Sequence, residues 1–320
     1  MGRGRARGRR CLAFASLAIL VACSGPDTDD ESAKSCGTGT ERLAVARNEP
    51  SDSSHPQVWI EGSVVDPELL TEDWYATRPS FSPDGRQVAV TKALGIYEGA
   101  GPKSTDIWIV DTDGRRERRL TTGVAKDFYD HAAWSPDGER IAVSHTSPGG
   151  GSGIELIPVK TGNNTGATAA PVIPTGTAPA WAPTGQELAY VRGVPGPALR
   201  AEIRVVDLDD GSDRLVGEVT APVTTLDWSP DGRTLLASAS PFFGSAHAID
   251  VDSGEVTDLG DLGFARWSGD GRRVYFMDGS GTLKVGSFGD GGISDSRSLG
   301  TESGYVFPHQ GLAVDRCNRP

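Results

Sequence analysis

Five copies of one short motif constrain this chain more than any other feature. They are Phe81-Ser82-Pro83-Asp84-Gly85, Trp134-Ser135-Pro136-Asp137-Gly138, Trp181-Ala182-Pro183-Thr184-Gly185, Trp228-Ser229-Pro230-Asp231-Gly232 and Trp267-Ser268-Gly269-Asp270-Gly271. Each is followed by an apolar run: Val88-Ala89-Val90, Ile141-Ala142-Val143, Leu188-Ala189-Tyr190-Val191, Leu235-Leu236-Ala237 and Val274-Tyr275-Phe276. The aromatic residues lie 53, 47, 47 and 39 positions apart. Periods of roughly 20–50 residues are those of solenoids and propellers. Within the motif, proline presets φ, aspartate tolerates the bridge region and glycine supplies a positive φ at the exit. The motif therefore predicts a tight turn between two antiparallel strands. Four of the seven tryptophans occupy its first position, which marks them as packing residues between neighbouring sheets.

After each hairpin come a third strand, an acidic turn and a fourth strand. Ile107 to Val110 leads through Asp111-Thr112-Asp113-Gly114 to Leu120-Thr121. Ile203 to Val206 leads to Leu215-Val216, and Ala248 to Val251 leads to Val256 through Leu259. Four antiparallel strands per repeat make one propeller blade. A composition with 42 Gly and 21 Pro suits many short strands joined by turns. The expected fold is all-β, a β-propeller of four-stranded antiparallel blades. Six blades is the count the motifs support, with seven left open. The closing blade is shared between the two chain ends. Its innermost strand is expected around Gly311 to Val314, its second at Leu43 to Ala46, its third at Val58 to Ile60 and its fourth at Leu69 to Thr71.

These motifs resemble the TolB-like, WD40-like (PD40) β-propeller repeats. The aromatic-Ser-Pro-Asp-Gly hairpin, the Val-Asp turn ending in glycine and the Leu-Thr ending carry the resemblance, over roughly residues 42–315. Thr184 departs from the pattern in the third motif and Gly269 in the fifth. TolB itself has an N-terminal α/β domain for which this sequence leaves no room. The resemblance thus implies the fold and not the cellular role of TolB.

The first residues read as a processing signal. Five arginines between Arg3 and Arg10 precede an apolar run, Cys11 to Ala22, that is too short for the ~20 residues of a membrane span. The run ends in Leu20-Val21-Ala22-Cys23, which resembles the lipobox of bacterial lipoproteins. The expected organisation is a signal peptide over 1–22, a flexible tether over 23–41 that starts at a lipidated Cys23, and the propeller over 42–320. The expected place is the extracytoplasmic side of a bacterial cell membrane. Acyl chains would supply the anchor, since one chain binds only marginally and two or three bind firmly. Removing five arginines takes Lys+Arg from 31 to 26 against 43 Asp+Glu, a net charge near −17. That balance argues against a nucleic-acid partner. With Cys11 lost and Cys23 lipidated, Cys36 and Cys317 remain at the two ends of the domain. A disulfide between them is expected to stand in for the hairpin turn of the closing blade.

Strand direction sorts the loops onto two faces. One carries the short turns. The other carries the long loops (Ala93 to Ser104, His145 to Gly153, Arg192 to Arg200, Pro241 to Gly244) and the segments between blades. Two of those segments are rich in aromatics and charge: Trp74-Tyr75 leading to Arg78, and Asp127-Phe128-Tyr129-Asp130-His131. Long loops and exposed Trp, Tyr and Arg mark binding surfaces. These eight residues form the candidate binding face around the channel mouth. The expected partner is a protein or peptide of the envelope, bound by a monomeric propeller.

Two other function classes stay open. A carbohydrate or small ligand could stack on Trp74, Tyr75 and Tyr129, or channel-mouth acids with His131 could serve a polysaccharide lyase or hydrolase. The sequence has no Gly-x-Ser-x-Gly elbow and no phosphate-binding glycine loop, and its five histidines lack metal-ligand spacing. Acidic turns such as Asp207 to Asp213 lack the distal glutamate of a calcium loop. No catalytic residue, metal or cofactor is therefore expected.

Overall fold

In the computed structural model the described residues are 41–49, 52–62, 65–72, 75–97, 101–123, 126–149, 151–160, 172–195, 199–239, 245–289, 291–299 and 312–315. The signal peptide, Cys23, nearly all of the tether, Cys36, Trp74 and Cys317 lie outside them. The described part is all β, and its strands fall into six blades and one short two-stranded ribbon, Ile96–Tyr97 with Gly101–Pro102.

Blade 1 joins the two ends of the domain: Leu312–Val314, then Arg42–Glu49, Asp52–Gly62 and Val65–Leu69, in that spatial order. Blade 2 is Ala76–Phe81, Gln87–Ala93, Thr105–Asp111 and Glu117–Arg119. Blade 3 is Phe128–Trp134, Arg140–Thr146 and Ser152–Pro158, with Ile173 bridging Ile154 beyond it. Blade 4 is Thr177–Trp181, Glu187–Val194, Arg200–Asp207 and Asp213–Val219. Blade 5 is Thr225–Trp228, Thr234–Ser238, Ala246–Asp250 and Val256–Gly260. Blade 6 is Leu262–Trp267, Arg273–Asp278, Leu283–Gly289 and Gly292–Ser298. One parallel pair, Phe128 with Thr105, also ties blades 2 and 3 into a single sheet.

The blade count follows from the core. Side chains alternate along a strand, so the apolar second strands send neighbouring residues to opposite faces. Val88 and Val90 pack with Ala44, Val58 and Ile60 of blade 1, whereas Ala89 packs with Ile141 and Val143 of blade 3. The described core divides into six such clusters, one between each pair of successive blades. The last joins Tyr275, Met277 and Val285 of blade 6 to Leu43, Val45 and Leu312 of blade 1. The ring therefore closes at six.

The motif residues hold the inner ring together. Trp134, Trp181 and Trp228 are buried, and each indole N–H donates to a carbonyl of the preceding blade's innermost strand. The acceptors are Ser80 at 3.1 Å, Ala133 at 3.0 Å and Ala180 at 3.0 Å. Trp267 breaks the pattern: its backbone N–H donates to the Asp227 carboxylate at 2.7 Å, and its indole N–H has no hydrogen-bond partner among the described residues. Within the turns, the Ser82 hydroxyl donates to Asp84 at 2.7 Å and that of Ser229 to Asp231 at 2.6 Å. The serine bond is the main reason the carboxyls of Asp137 and Asp231 sit below the usual aspartate range.

Blade 1 lacks a hairpin turn, and a charged latch replaces it. The Asp315 N–H donates to the Arg42 carbonyl at 2.9 Å, matching the Ser82 N–H to Gln87 carbonyl bond of blade 2. The Arg42 guanidinium bonds the Asp315 carboxylate at 2.6 Å and the Gly85 carbonyl at 2.5 Å. Next to it, Glu41 accepts from the Gly269 N–H at 2.6 Å, from Arg273 at 3.2 Å and from the Tyr275 hydroxyl. The departure at position 269 thus has a physical reason. A proline there has no N–H to offer.

Candidate functional site

The innermost strands surround a central channel, and in four of the six they carry the same irregularity. In blades 2, 3, 4 and 6 two residues oppose one across the hairpin: Arg78-Pro79, His131-Ala132, Ala178-Pro179 and Phe264-Ala265. These are β-bulges, which bend a strand and re-aim its side chains. The first residue of each lies in the left-handed region, at φ of 49° for Arg78, 53° for His131, 52° for Ala178 and 50° for Phe264. None is glycine. Backbone strain of this kind costs about 1–3 kcal/mol per residue and persists where the surrounding fold enforces it, often at binding sites.

All four strained residues line one small cavity of ≈ 40 Å³, together with Thr224, Thr225, Leu226 and Arg266. A larger cavity of ≈ 160 Å³ lies along the motif aromatics and Asp227. Arg266 lines both, and its guanidinium reaches the Leu312 carbonyl of blade 1 at 2.9 Å. The smaller cavity sits at the end of the innermost strands where the inter-blade segments enter, which is the face expected to bind.

A polar cluster stands in this mouth. Arg78 Nε pairs with Asp130 Oδ2 at 2.9 Å. Asp130 also accepts from the Thr91 hydroxyl at 2.8 Å and the His131 N–H at 2.9 Å. Its carboxyl lies below the usual range: burial opposes ionisation, but the neighbouring His131 and Arg78 and the two hydrogen bonds outweigh it. His131 is pushed down to about 4, chiefly by burial and then by Arg78, with Arg266 adding to the shift and Asp130 opposing it. Its imidazole is therefore neutral at pH 7. Nδ1 of His131 lies 3.4 Å from Oδ2 of Asp130, and Nη1 of Arg78 has no hydrogen-bond partner among the described residues.

The expected binding face is only partly assembled there. Arg78, Asp130 and His131 meet as described, and Tyr75 and Phe128 are half-buried beside them in sequence. Asp127 and Tyr129 turn inward instead. Tyr129 is 7% exposed and belongs to the core between blades 2 and 3, stacked on His145 at 4.2 Å. Burial, then the nearby Glu155, Asp127 and Asp106, drive its phenol pKa upward. Asp127 is buried and lies 3.6 Å from Nε2 of His145, whose Nδ1 meets Glu155 at 2.7 Å. Tyr129 thus offers no stacking platform, a correction that follows from strand alternation: it faces the neighbouring blade.

The sequence reading missed Arg266, Phe264 and the Thr224-Thr225 pair. The signal was in the repeat itself, since Arg78, His131, Ala178, Thr225 and Phe264 all stand three residues before the motif aromatic.

This architecture has relatives among solved structures. TolB from Acinetobacter baumannii superposes with a TM-score of 0.66 at 17% identity, over 86% of this chain and 66% of that one. A putative TolB from Agrobacterium tumefaciens superposes with a TM-score of 0.56 at 19% identity, over 85% of this chain and 92% of that one. The fold is a TolB-like β-propeller. The chain spans just under two thirds of the length of the Acinetobacter TolB. No protein-family model matches the sequence, and no curated protein matches it either. At these identities the TolB likeness establishes the fold alone.

Proposed function

We propose that this protein is a lipid-anchored extracytoplasmic propeller that binds a protein or peptide of the cell envelope at its channel mouth. The observation that carries this reading is the convergence of four strained, non-glycine side chains on one small polar cavity. A scaffold alone would place glycine at such positions, where it costs nothing sterically. The TolB likeness is consistent with a binding role, and the lipobox at Cys23 supplies the membrane attachment.

The small-ligand reading loses support with Tyr129 buried. The enzyme reading has the Asp130 carboxylate 3.4 Å from Nδ1 of His131, but no group of three metal-ligating side chains stands among the described residues to join it.

The test is crosslinking in the native envelope with the anchored protein and a variant carrying Tyr75→Ala, Arg78→Gln and Phe128→Ala. A partner captured by the parent and lost from the folded variant supports the reading. An identical capture profile from both rejects the mouth as the binding face. For the anchor, palmitate labelling should vanish in Cys23→Ser. Labelling that persists excludes lipidation at that residue.

A further inference from the structure

We infer that the outer edge of blade 3, centred on Leu156, is a second docking site that takes an extended strand of a protein partner by backbone pairing, with an apolar side chain set opposite Leu156. It lies on the third strand out from the channel and does not depend on binding at the mouth.

The first argument is backbone accounting. A strand sends the hydrogen-bonding groups of successive residues to alternate sides. Along Ser152–Pro158 the odd-numbered residues serve the pairing with Arg140–Thr146, a ladder that ends with the Val159 N–H on the Glu139 carbonyl at 2.8 Å. The even-numbered residues face outward. Ile154 is met there by Ile173, through bonds of 2.9 and 3.3 Å. Leu156 comes next, and on that side neither its N–H nor its carbonyl has a backbone partner among the described residues. In each of the other five blades the corresponding residue is paired, by Glu68, Arg118, Arg214, Thr257 and Arg297.

The sequence gives a reason for the difference. Continuing the register of Ile154 and Ile173 would set Pro171 opposite Leu156, and proline has no N–H to donate. Residues 161–170 contain no Val, Ile or aromatic residue to build a strand. The second argument is the lack of a guard. Charged residues on an outer strand deter pairing with foreign chains, and four of the five facing residues in the other blades are charged. Ser152–Pro158 carries one charge, Glu155, which is buried and bound to His145 at 2.7 Å. The third argument is apolar cover. Leu156 and Leu208 of blade 4 are both half-buried against the core between blades 3 and 4, and Val172 is 48% exposed. Directly opposed residues share a face of the sheet, so a guest residue opposite Leu156 falls on this apolar side. Strand addition of this kind takes its affinity from main-chain bonds and its specificity from such alternate side chains.

The probe is the acetylated, amidated pentapeptide Thr-Thr-Val-Thr-Thr, with the same peptide N-methylated at its valine as control. Both are titrated into the full mature protein while backbone amides are followed by NMR and deuterium exchange. Without peptide, the Leu156 amide should exchange roughly a hundredfold or more faster than that of its paired counterpart Ile109. The peptide should slow it saturably, by about tenfold or more, and the N-methylated peptide should not. The Leu156 N–H takes no part in the pairing with Arg140–Thr146, and proline is tolerated on edge strands. Leu156→Pro should therefore fold as the parent does and lose the peptide-induced shift of the Ile157 amide. Should it fail to fold, the two peptides compared on the parent still decide. A Leu156 amide already as protected as that of Ile109 would mean that the chain covers its own edge, and would overturn the inference. So would equal binding of the N-methylated peptide, or equal binding by folded Leu156→Pro. Protection that grows with protein concentration in the absence of peptide would assign the edge to a second copy of the chain and overturn it too. Crosslinking at the mouth reads different residues, so either reading can fail without the other.

Discussion

Replacing Gly269 by proline restores the motif found at Pro83, Pro136, Pro183 and Pro230, and on consensus grounds it should stabilise the fold. The latch of blade 1 predicts the opposite. The Gly269 N–H donates to the Glu41 carboxylate at 2.6 Å, and Glu41 is largely buried against Arg273 and Tyr275. A hydrogen bond to a charged group is worth about 1.5–3 kcal/mol. Proline at a compatible position returns roughly 0.4–1 kcal/mol by restricting the unfolded chain. The net expectation is a loss of about 1–2 kcal/mol, or roughly 2–5 °C in melting temperature for a domain of this size. The assay is denaturant unfolding of Gly269→Pro, Glu41→Ala and the double variant. Because both changes remove the same bond, the double variant should be more stable than the sum of the singles predicts, by about 1 kcal/mol or more. Stabilisation by Gly269→Pro of equal size in both backgrounds would refute the latch.

Other outcomes follow from the same contacts. Trp228→Phe strips a buried donor from the Ala180 carbonyl, whereas the Trp267 indole N–H has no such acceptor. Trp228→Phe should therefore cost about 1–2 kcal/mol more than Trp267→Phe in chemical denaturation. Because the folded-state pKa of His131 lies near 4, below the ordinary 6.5, the unfolded chain binds the extra proton between those values. Stability from this group is complete above pH 6.5 and is lost as pH falls through 4, by up to about 3 kcal/mol. His131→Asn should flatten that part of the profile, and an unchanged profile would count against the burial of His131. The Asp315 to Arg42 bond joins positions two and six residues from Cys317 and Cys36, and a disulfide between those cysteines, which lie outside the described residues, is our proposal. Cys317→Ser, or reduction of the parent, should then cost up to about 5 kcal/mol, read as a lower melting temperature. No change on reduction would argue for free thiols.

Much of the fold was legible because its signals are local and repeated. The turn chemistry of the five motifs fixed the hairpins, and the apolar runs after them marked strands buried on both faces. Even the closing blade could be read, since Leu312 to Val314 and Leu43 to Ala46 match the two hairpin strands of the other blades. The site was less legible. Tyr129 and His131 stand two apart and look equivalent in a charged aromatic segment. The bulge at His131 nevertheless turns one to the channel and leaves the other in the inter-blade core. Arg266 carries no mark of its own, because its role depends on reaching Leu312 of blade 1, which only ring closure brings beside it. The latch was hidden for the same reason: Glu41 and Gly269 meet only because the ring closes.

The most direct test of the central claim compares the two ends of the channel. A photo-crosslinking residue is placed at Tyr75 or Phe128 near the mouth, or at Arg86 or Arg272 on the exposed turns of the opposite face. Each variant is irradiated in the native envelope. Binding at the mouth predicts a discrete adduct of the same mass from both mouth positions and none from either turn position. Adducts from the turn face alone, or from neither face, would contradict it.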